Sequence, residues 1–104
     1  MIRRIVRYRV AVEHVESATE AIEAFVAGVA SEEGTERYDA YRYVDDDATE
    51  IVHIMSFGDE ASRGHHVGTD HVKAFVARLY PLCTDQPEFR DLALLATSRS
   101  PSNA

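Results

Sequence analysis

From residue 5 to residue 12 the chain alternates, with Val6, Tyr8, Val10 and Val12 on one face and Arg7 and Arg9 on the other. A period of two with β-branched and aromatic residues predicts a strand. The period then lengthens. Ser17-Ala18-Thr19-Glu20 has the Ser-x-x-Glu form of a capping box, and Ala18, Ile22, Phe25 and Val29 follow at helical spacing, widened by Ala21 and Val26. This predicts an amphipathic helix, and Gly34 stands where a left-handed carboxyl-terminal cap would close it.

Residues 37–44 hold Tyr38, Tyr41 and Tyr43 and predict a second strand. Asp45-Asp46-Asp47 ends it, because adjacent acids repel and favour a solvated turn; a calcium loop needs wider ligand spacing and a glycine. Residues 50–57 are apolar nearly throughout, as expected of a third strand covered on both faces. Gly58-Asp59-Glu60 opens a helical region whose acidic first turn suits the helix dipole. Gly64 and Gly68 should interrupt it, and Thr69 should start a firmer helix carrying Val72, Phe75, Val76 and Leu79 on one face. Pro81 stops that helix. Residues 88–96 predict a fourth strand, and residues 97–104, small and polar, a flexible tail.

Two strand–helix–strand halves joined by a hairpin give the βαββαβ order of a ferredoxin-like α+β fold. It would fill a single domain over residues 1–96, with a four-stranded antiparallel sheet and its helices on one face. On the other face Tyr41, Tyr43, Ile51, Phe89 and Leu95 would leave too much apolar surface in water for a chain of 104 residues. A second copy is the simplest cover, so a homodimer is expected.

Composition narrows the partners. At 45% hydrophobic and 28% charged the chain is an ordinary globular one, and its net charge of −7 argues against nucleic acid. Arg3, Arg4, Arg7 and Arg9, interleaved with Ile5, Val6, Tyr8 and Val10, read as a strand with one charged face. No apolar run suits a signal peptide or a membrane span, so a cytoplasmic protein without a membrane partner is expected. The lone Cys83 cannot form an intrachain disulfide and, beside Leu82, reads as a small core residue.

The second half carries a more specific pattern: Phe57-Gly58-Asp59-Glu60-Ala61, then His66-Val67-Gly68-Thr69-Asp70-His71-Val72-Lys73-Ala74-Phe75. A third strand ending in an aromatic, an acid and alanine opening a helix, and a His-x-x-Ser/Thr-x-His run into the last helix resemble the antibiotic biosynthesis monooxygenase domain. Gly34 and the tyrosine-rich strand after it fit too, so the resemblance spans residues 5–96. It implies a dimeric α+β barrel made from the sheets of two subunits, with a pocket between sheet and helices in each. It implies a small aromatic molecule as ligand, a quinol or anthrone-like polyketide, and oxidation without flavin or metal, so no cofactor is expected. Members also include heme degraders and proteins without assigned reactions, which leaves a non-catalytic binding dimer as the alternative.

In the quinone-forming members a polar residue of the third strand stands four before its aromatic. His53 and Phe57 hold those positions, on one face of the strand and about 13 Å apart. The resemblance thus offers His53 as base or oxyanion partner and Phe57 as stacking wall. The sequence departs from the family in lacking tryptophan and in placing Met55 where relatives often have glutamate. Its only asparagine is Asn103, which sets the heme-degrading recipe aside.

A histidine inside an apolar strand must find a partner or bear the cost of burial. His53 is therefore either satisfied by a tyrosine or a backbone carbonyl, or a general base or phenol-holding donor. His66, the second catalytic candidate, and His71, a pocket candidate, either pack the second helix or face the cavity. Phe25, Met55 and Phe75 stand at core spacing and complete the candidate pocket with Phe57. No metal site is expected: His65 and His66 point apart, His66 and His71 are split by Gly68, and no carboxylate stands at ligand spacing. An open cavity beside His53 would favour the enzyme; a packed interior with His53 bonded to a tyrosine would favour the binding module.

Overall fold

The computed structural model describes residues 1–44 and 49–99. Strand β1 (Ile2–Arg9) leads through a 3-10 turn (Val12–His14) into α1 (Val15–Val29), β2 (Thr35–Arg42) and β3 (Glu50–Phe57). Then follow α2 (Glu60–Val67), α3 (Asp70–Leu79), a second 3-10 turn (Tyr80–Leu82) and β4 (Glu88–Leu92). The strands form one antiparallel sheet in the order β2-β3-β1-β4. This is the ferredoxin-like α+β arrangement, with its second helical segment split in two. The Asp45–Asp47 run and the last five residues of the expected tail lie outside the described residues. Among those described, no helix is long and apolar enough to cross a membrane.

Register decides which side chains meet. Opposite one another on β1 and β3 are Arg4 and Met55, Val6 and His53, and Tyr8 and Ile51. Successive strand residues point to opposite faces, so these pairs share the helix-covered side. The core there joins Val6, Tyr8, Val10, Ile51, Met55 and Phe57 to Ala18 of α1 and Leu79 of α3, with Cys83 packed against it. Phe57 and Leu79 are each 1% exposed, and burying side chains of that size stabilises by roughly 1.5–3 kcal/mol apiece.

The same register corrects the expectation for the outer face. Ile51 and Phe89 belong to the helix side, opposite Tyr8 and Val6, while Tyr43 and Leu95 lie beyond the strands. The outer face instead presents Ile5, Tyr41, Val52, Ile54 and Leu92, flanked by Arg3, Arg7, Arg9, Arg37 and Arg90. Arg4 leaves its neighbours and points to the helix side, so the amino-terminal arginines are not one charged face.

Several boundaries also moved. β1 stops at Arg9, which leaves Val12 exposed in the turn, and α1 starts at Val15. Ser17 therefore sits within the first helical turn, and Ser17–Glu20 is no capping box. The helix buries Ala18, Ala21, Phe25 and Val29, then ends at Ala30 in right-handed conformation, well before Gly34. Gly34 has another role: a Cβ there would lie 2.2 Å from Ser62 Oγ and 2.4 Å from Ser62 Cβ. Its bareness lets the entry to β2 run against α2. Gly64 is held inside α2, and the break falls at Gly68; Thr69 Oγ1 then accepts from the Val72 N–H to cap α3. β4 ends at Leu92, where its pairing with β1 ends at Arg3.

Candidate active site

Between the sheet and the helices lies a cavity of about 270 Å³. Phe25, His53, Met55, Phe57, His66 and Phe75, all expected in the pocket from the sequence, border it. So do Tyr8, Tyr38, Arg4 and Arg63, which sequence reasoning did not place there.

His53 is fully buried in the middle of β3. Tyr8 and Tyr38 reach it from the two neighbouring strands, each a diagonal neighbour in the register. The Tyr8 hydroxyl lies 2.8 Å from Nε2 and the Tyr38 hydroxyl 2.7 Å from Nδ1. Burial pushes the His53 pKa down to about 4, so the ring is neutral at pH 7. A neutral imidazole has one N–H, so one tyrosine accepts from it while the other donates to the bare nitrogen. Burial, joined by the neighbouring Tyr38, raises the Tyr8 pKa, and burial, joined by Glu32, raises that of Tyr38. Both hydroxyls keep their protons.

A second cluster forms where three elements meet. Glu32, in the turn after α1, has a side chain only 2% exposed. Its Oε1 accepts from Thr35 Oγ1 at 2.6 Å and from His66 Nδ1 at 2.8 Å, and its Oε2 accepts from His71 Nε2. Burial alone would raise the carboxyl pKa, but the hydrogen bonds from Thr35, His71 and His66 outweigh it and hold the group below its usual range. His66 ends α2 and His71 begins α3, so the break at Gly68 turns both rings onto one carboxylate. Gly28 of α1 makes room, since a Cβ there would lie 2.8 Å from His71 Cγ.

This cluster divides the two histidines. With Nδ1 bonded to Glu32, Nε2 of His66 has no partner among the described residues and is the nitrogen open to a molecule in the cavity. His71 does not border the cavity; drawn to Glu32, it borders a polar groove with Ser31, Asp59 and Asp70. The expectation of His71 in the pocket is corrected accordingly. Donor atoms of Glu32, His66 and His71 all lie within 4.8 Å of one another, a set whose chemistry suits a borderline divalent ion. Local ligand spacing does not reveal this set, because its carboxylate comes from a distant part of the chain. Each donor atom is engaged in the hydrogen-bonded cluster.

The family model for antibiotic biosynthesis monooxygenases matches residues 1–78. The chain belongs to that family. Three solved structures are close in fold. An antibiotic biosynthesis monooxygenase candidate of Nitrosomonas europaea is 20% identical, over 92% of this chain and 100% of that one, with a TM-score of 0.86. Rv0793 of Mycobacterium tuberculosis is 20% identical over 94% and 98%, at TM-score 0.83. PA3566 of Pseudomonas aeruginosa is 24% identical over 91% and 94%, at TM-score 0.82. No curated protein matches. At such identities the likeness carries the fold of this antibiotic biosynthesis monooxygenase family member and nothing of its chemistry.

Proposed function

We propose that this protein is a monooxygenase that oxidises a small hydroxylated aromatic with molecular oxygen and without flavin or metal. The observation that carries the reading is His66: its Nδ1 proton is held by the buried Glu32 carboxylate, and its Nε2 is left for the cavity. A carboxylate that fixes one imidazole nitrogen as donor leaves the other as proton acceptor, the arrangement of a general base. His53 suits that task less well, because both its nitrogens are bonded to tyrosines and its pKa lies near 4. Its role is to fix the Tyr8 and Tyr38 hydroxyls in the cavity wall, with Phe57 as the apolar wall for the ring.

Size narrows the substrate. A cavity of about 150 Å³ holds benzene, so 270 Å³ suits one or two fused rings and favours a quinol over a three-ring anthrone. In the reaction His66 Nε2 takes the phenolic proton, and the phenolate passes an electron to oxygen. The resulting radicals join through a C–O bond. One oxygen atom stays in the product as a hydroxyquinone; the other leaves as water with the two hydrogens removed from the quinol. The reading includes a homodimer formed through Ile5, Tyr41, Val52, Ile54 and Leu92 of the outer sheet face.

The test is oxygen uptake with 1,4-naphthohydroquinone after dialysis against a chelator. Uptake above the protein-free rate, with one oxygen consumed per hydroxyquinone formed, is expected. Uptake that needs added metal or flavin, or none at all, rejects the mechanism. A second reading is favoured by the Tyr8–His53–Tyr38 chain, which satisfies the buried histidine without any substrate. It is a dimer that binds a small aromatic without transforming it, and saturable binding with no uptake would support it.

A further inference from the structure

We infer that the ligand of this cavity is an aromatic carrying a carboxylate, which the guanidinium groups of Arg4 and Arg63 receive. The inference rests on the small-aromatic reading above and adds the ligand's charge. The chain carries a net charge of −7, yet among the described residues no Asp or Glu borders the cavity, while two arginines do. The acidic surplus lies elsewhere, and the formal charges on the wall itself are the two guanidinium groups.

The two arginines come from different elements and converge. Arg4 projects from β1 to the helix side, with its Cζ 5.0 Å from the centre of the Phe89 ring. Its Nε is buried and makes no directed hydrogen bond among the described residues, although it lies 3.2 Å from Asp91 Oδ1. Arg63 of α2 places Nη1 3.5 Å from Asp91 Oδ2 and Nη2 2.7 Å from Glu60 Oε1. Both partners stand outside the cavity in water, with side chains 61% and 71% exposed. An acid this exposed keeps most of its hydration, which weakens its hold on a partner. A carboxylate arriving within the cavity replaces them at little cost and meets planar forks that match its geometry.

Position supports the same ligand. Arg63 precedes His66 by three residues on α2, a spacing that puts side chains on one face with Cβ atoms roughly 5–6 Å apart. A ring whose carboxylate meets Arg63 therefore carries its hydroxyl toward His66, between Phe57 and Phe75. Arg4 and Arg63 are positioning residues here; neither takes part in proton transfer.

The test compares 3-hydroxy-2-naphthoate with neutral 2-naphthol by isothermal titration to the full chain at pH 7. The acid should bind at least about tenfold more tightly, in line with charged hydrogen bonds. Arg4→Met and Arg63→Met should each weaken the acid by about tenfold and affect 2-naphthol much less, with thermal unfolding checking that the variants fold. The comparison of the two probes on the unaltered protein needs no variant. Equal affinity for both probes, parallel losses for both in the variants, or binding of neither at millimolar concentration overturns the inference. Acid-selective binding without oxygen uptake sustains the carboxylate subsite and removes the oxygenase reading. Oxygen uptake with a neutral quinol and indifference to the acid does the reverse.

Discussion

Glu32 and His66 stand 34 positions apart in the chain, and the Glu32 carboxylate accepts the Nδ1 proton of His66 at 2.8 Å. The bond fixes the imidazole tautomer and gives the cavity a nitrogen with a free lone pair. His71 and Thr35 complete the carboxylate's shell from its other sides. The glutamate is thus both an orienting group for His66 and a buried charge held by three donors.

Breaking that pair should separate chemistry from binding. His66→Gln should lower kcat for a quinol by roughly 10²-fold or more, with a smaller change in KM because the cavity walls remain. Glu32→Gln should also lower kcat, through loss of tautomer control, and the pH–rate profile of that variant should shift. Full turnover in His66→Gln would reject it as the base and return the role to His53.

The Glu32 carboxyl, held below its usual range by its donors, gives a pH-dependent stability. Its contribution is complete above the unfolded carboxyl's pKa and is lost as pH falls through the folded value. Urea unfolding from pH 6 down to pH 3 should show this fall in the parent protein and a weaker one in Glu32→Gln. Equal slopes would mean that the cluster does not hold the charge.

His53 acts over a higher window. Unfolded, it titrates near 6.5; folded, at about 4. Between these values the unfolded chain binds the extra proton, so stability is full above the upper value and declines as pH drops. The loss from this group should reach on the order of 3 kcal/mol by pH 4. Histidine NMR should find the His53 ring neutral down to about pH 5. A midpoint near 6.5 would mean that the buried Tyr8–His53–Tyr38 chain is not closed.

Gly34 should tolerate no side chain while Ser62 is present. Gly34→Ala puts a Cβ 2.2 Å from Ser62 Oγ, and overpacking of this kind costs about 1–3 kcal/mol. Ser62→Gly removes the two nearest atoms, so the double variant should recover part of the loss in thermal unfolding. Additive losses would show that the two residues do not meet.

The outer sheet face offers a direct check on assembly. Light scattering at micromolar concentration should give the dimer mass for the parent protein and the monomer mass for Ile54→Lys, which sets a charge among the outer-face residues Ile5, Tyr41 and Val52. A monomer mass for the parent would remove the homodimer.

The order of elements and most of the sheet's inner face follow from local patterns along the chain. Alternation at Val6, Tyr8 and Val10, the apolar run from Ile51 to Phe57 and the helical stripe through Ala18, Phe25 and Val29 are local periodicities, and each survives in the structure. His53, Met55, Phe57, Phe25, Phe75 and His66 were legible as cavity residues because strand and helix periods say which side faces inward. The rest came with packing. Ile51 follows the period of its own strand, on the face of His53, Met55 and Phe57, against the outer position expected for it, and Phe89 turned inward through its pairing opposite Val6. Glu32 sat unmarked in an acidic turn, and Tyr8 and Tyr38 read as ordinary strand aromatics, since a hydrogen bond between elements leaves no period in the chain. Arg4 looked like one more charge in a basic run; only the pairing of β1 with β3 and β4 shows it facing the cavity. Periodicity records which way a residue faces, whereas chemistry depends on what it faces, and that is fixed when distant segments pack.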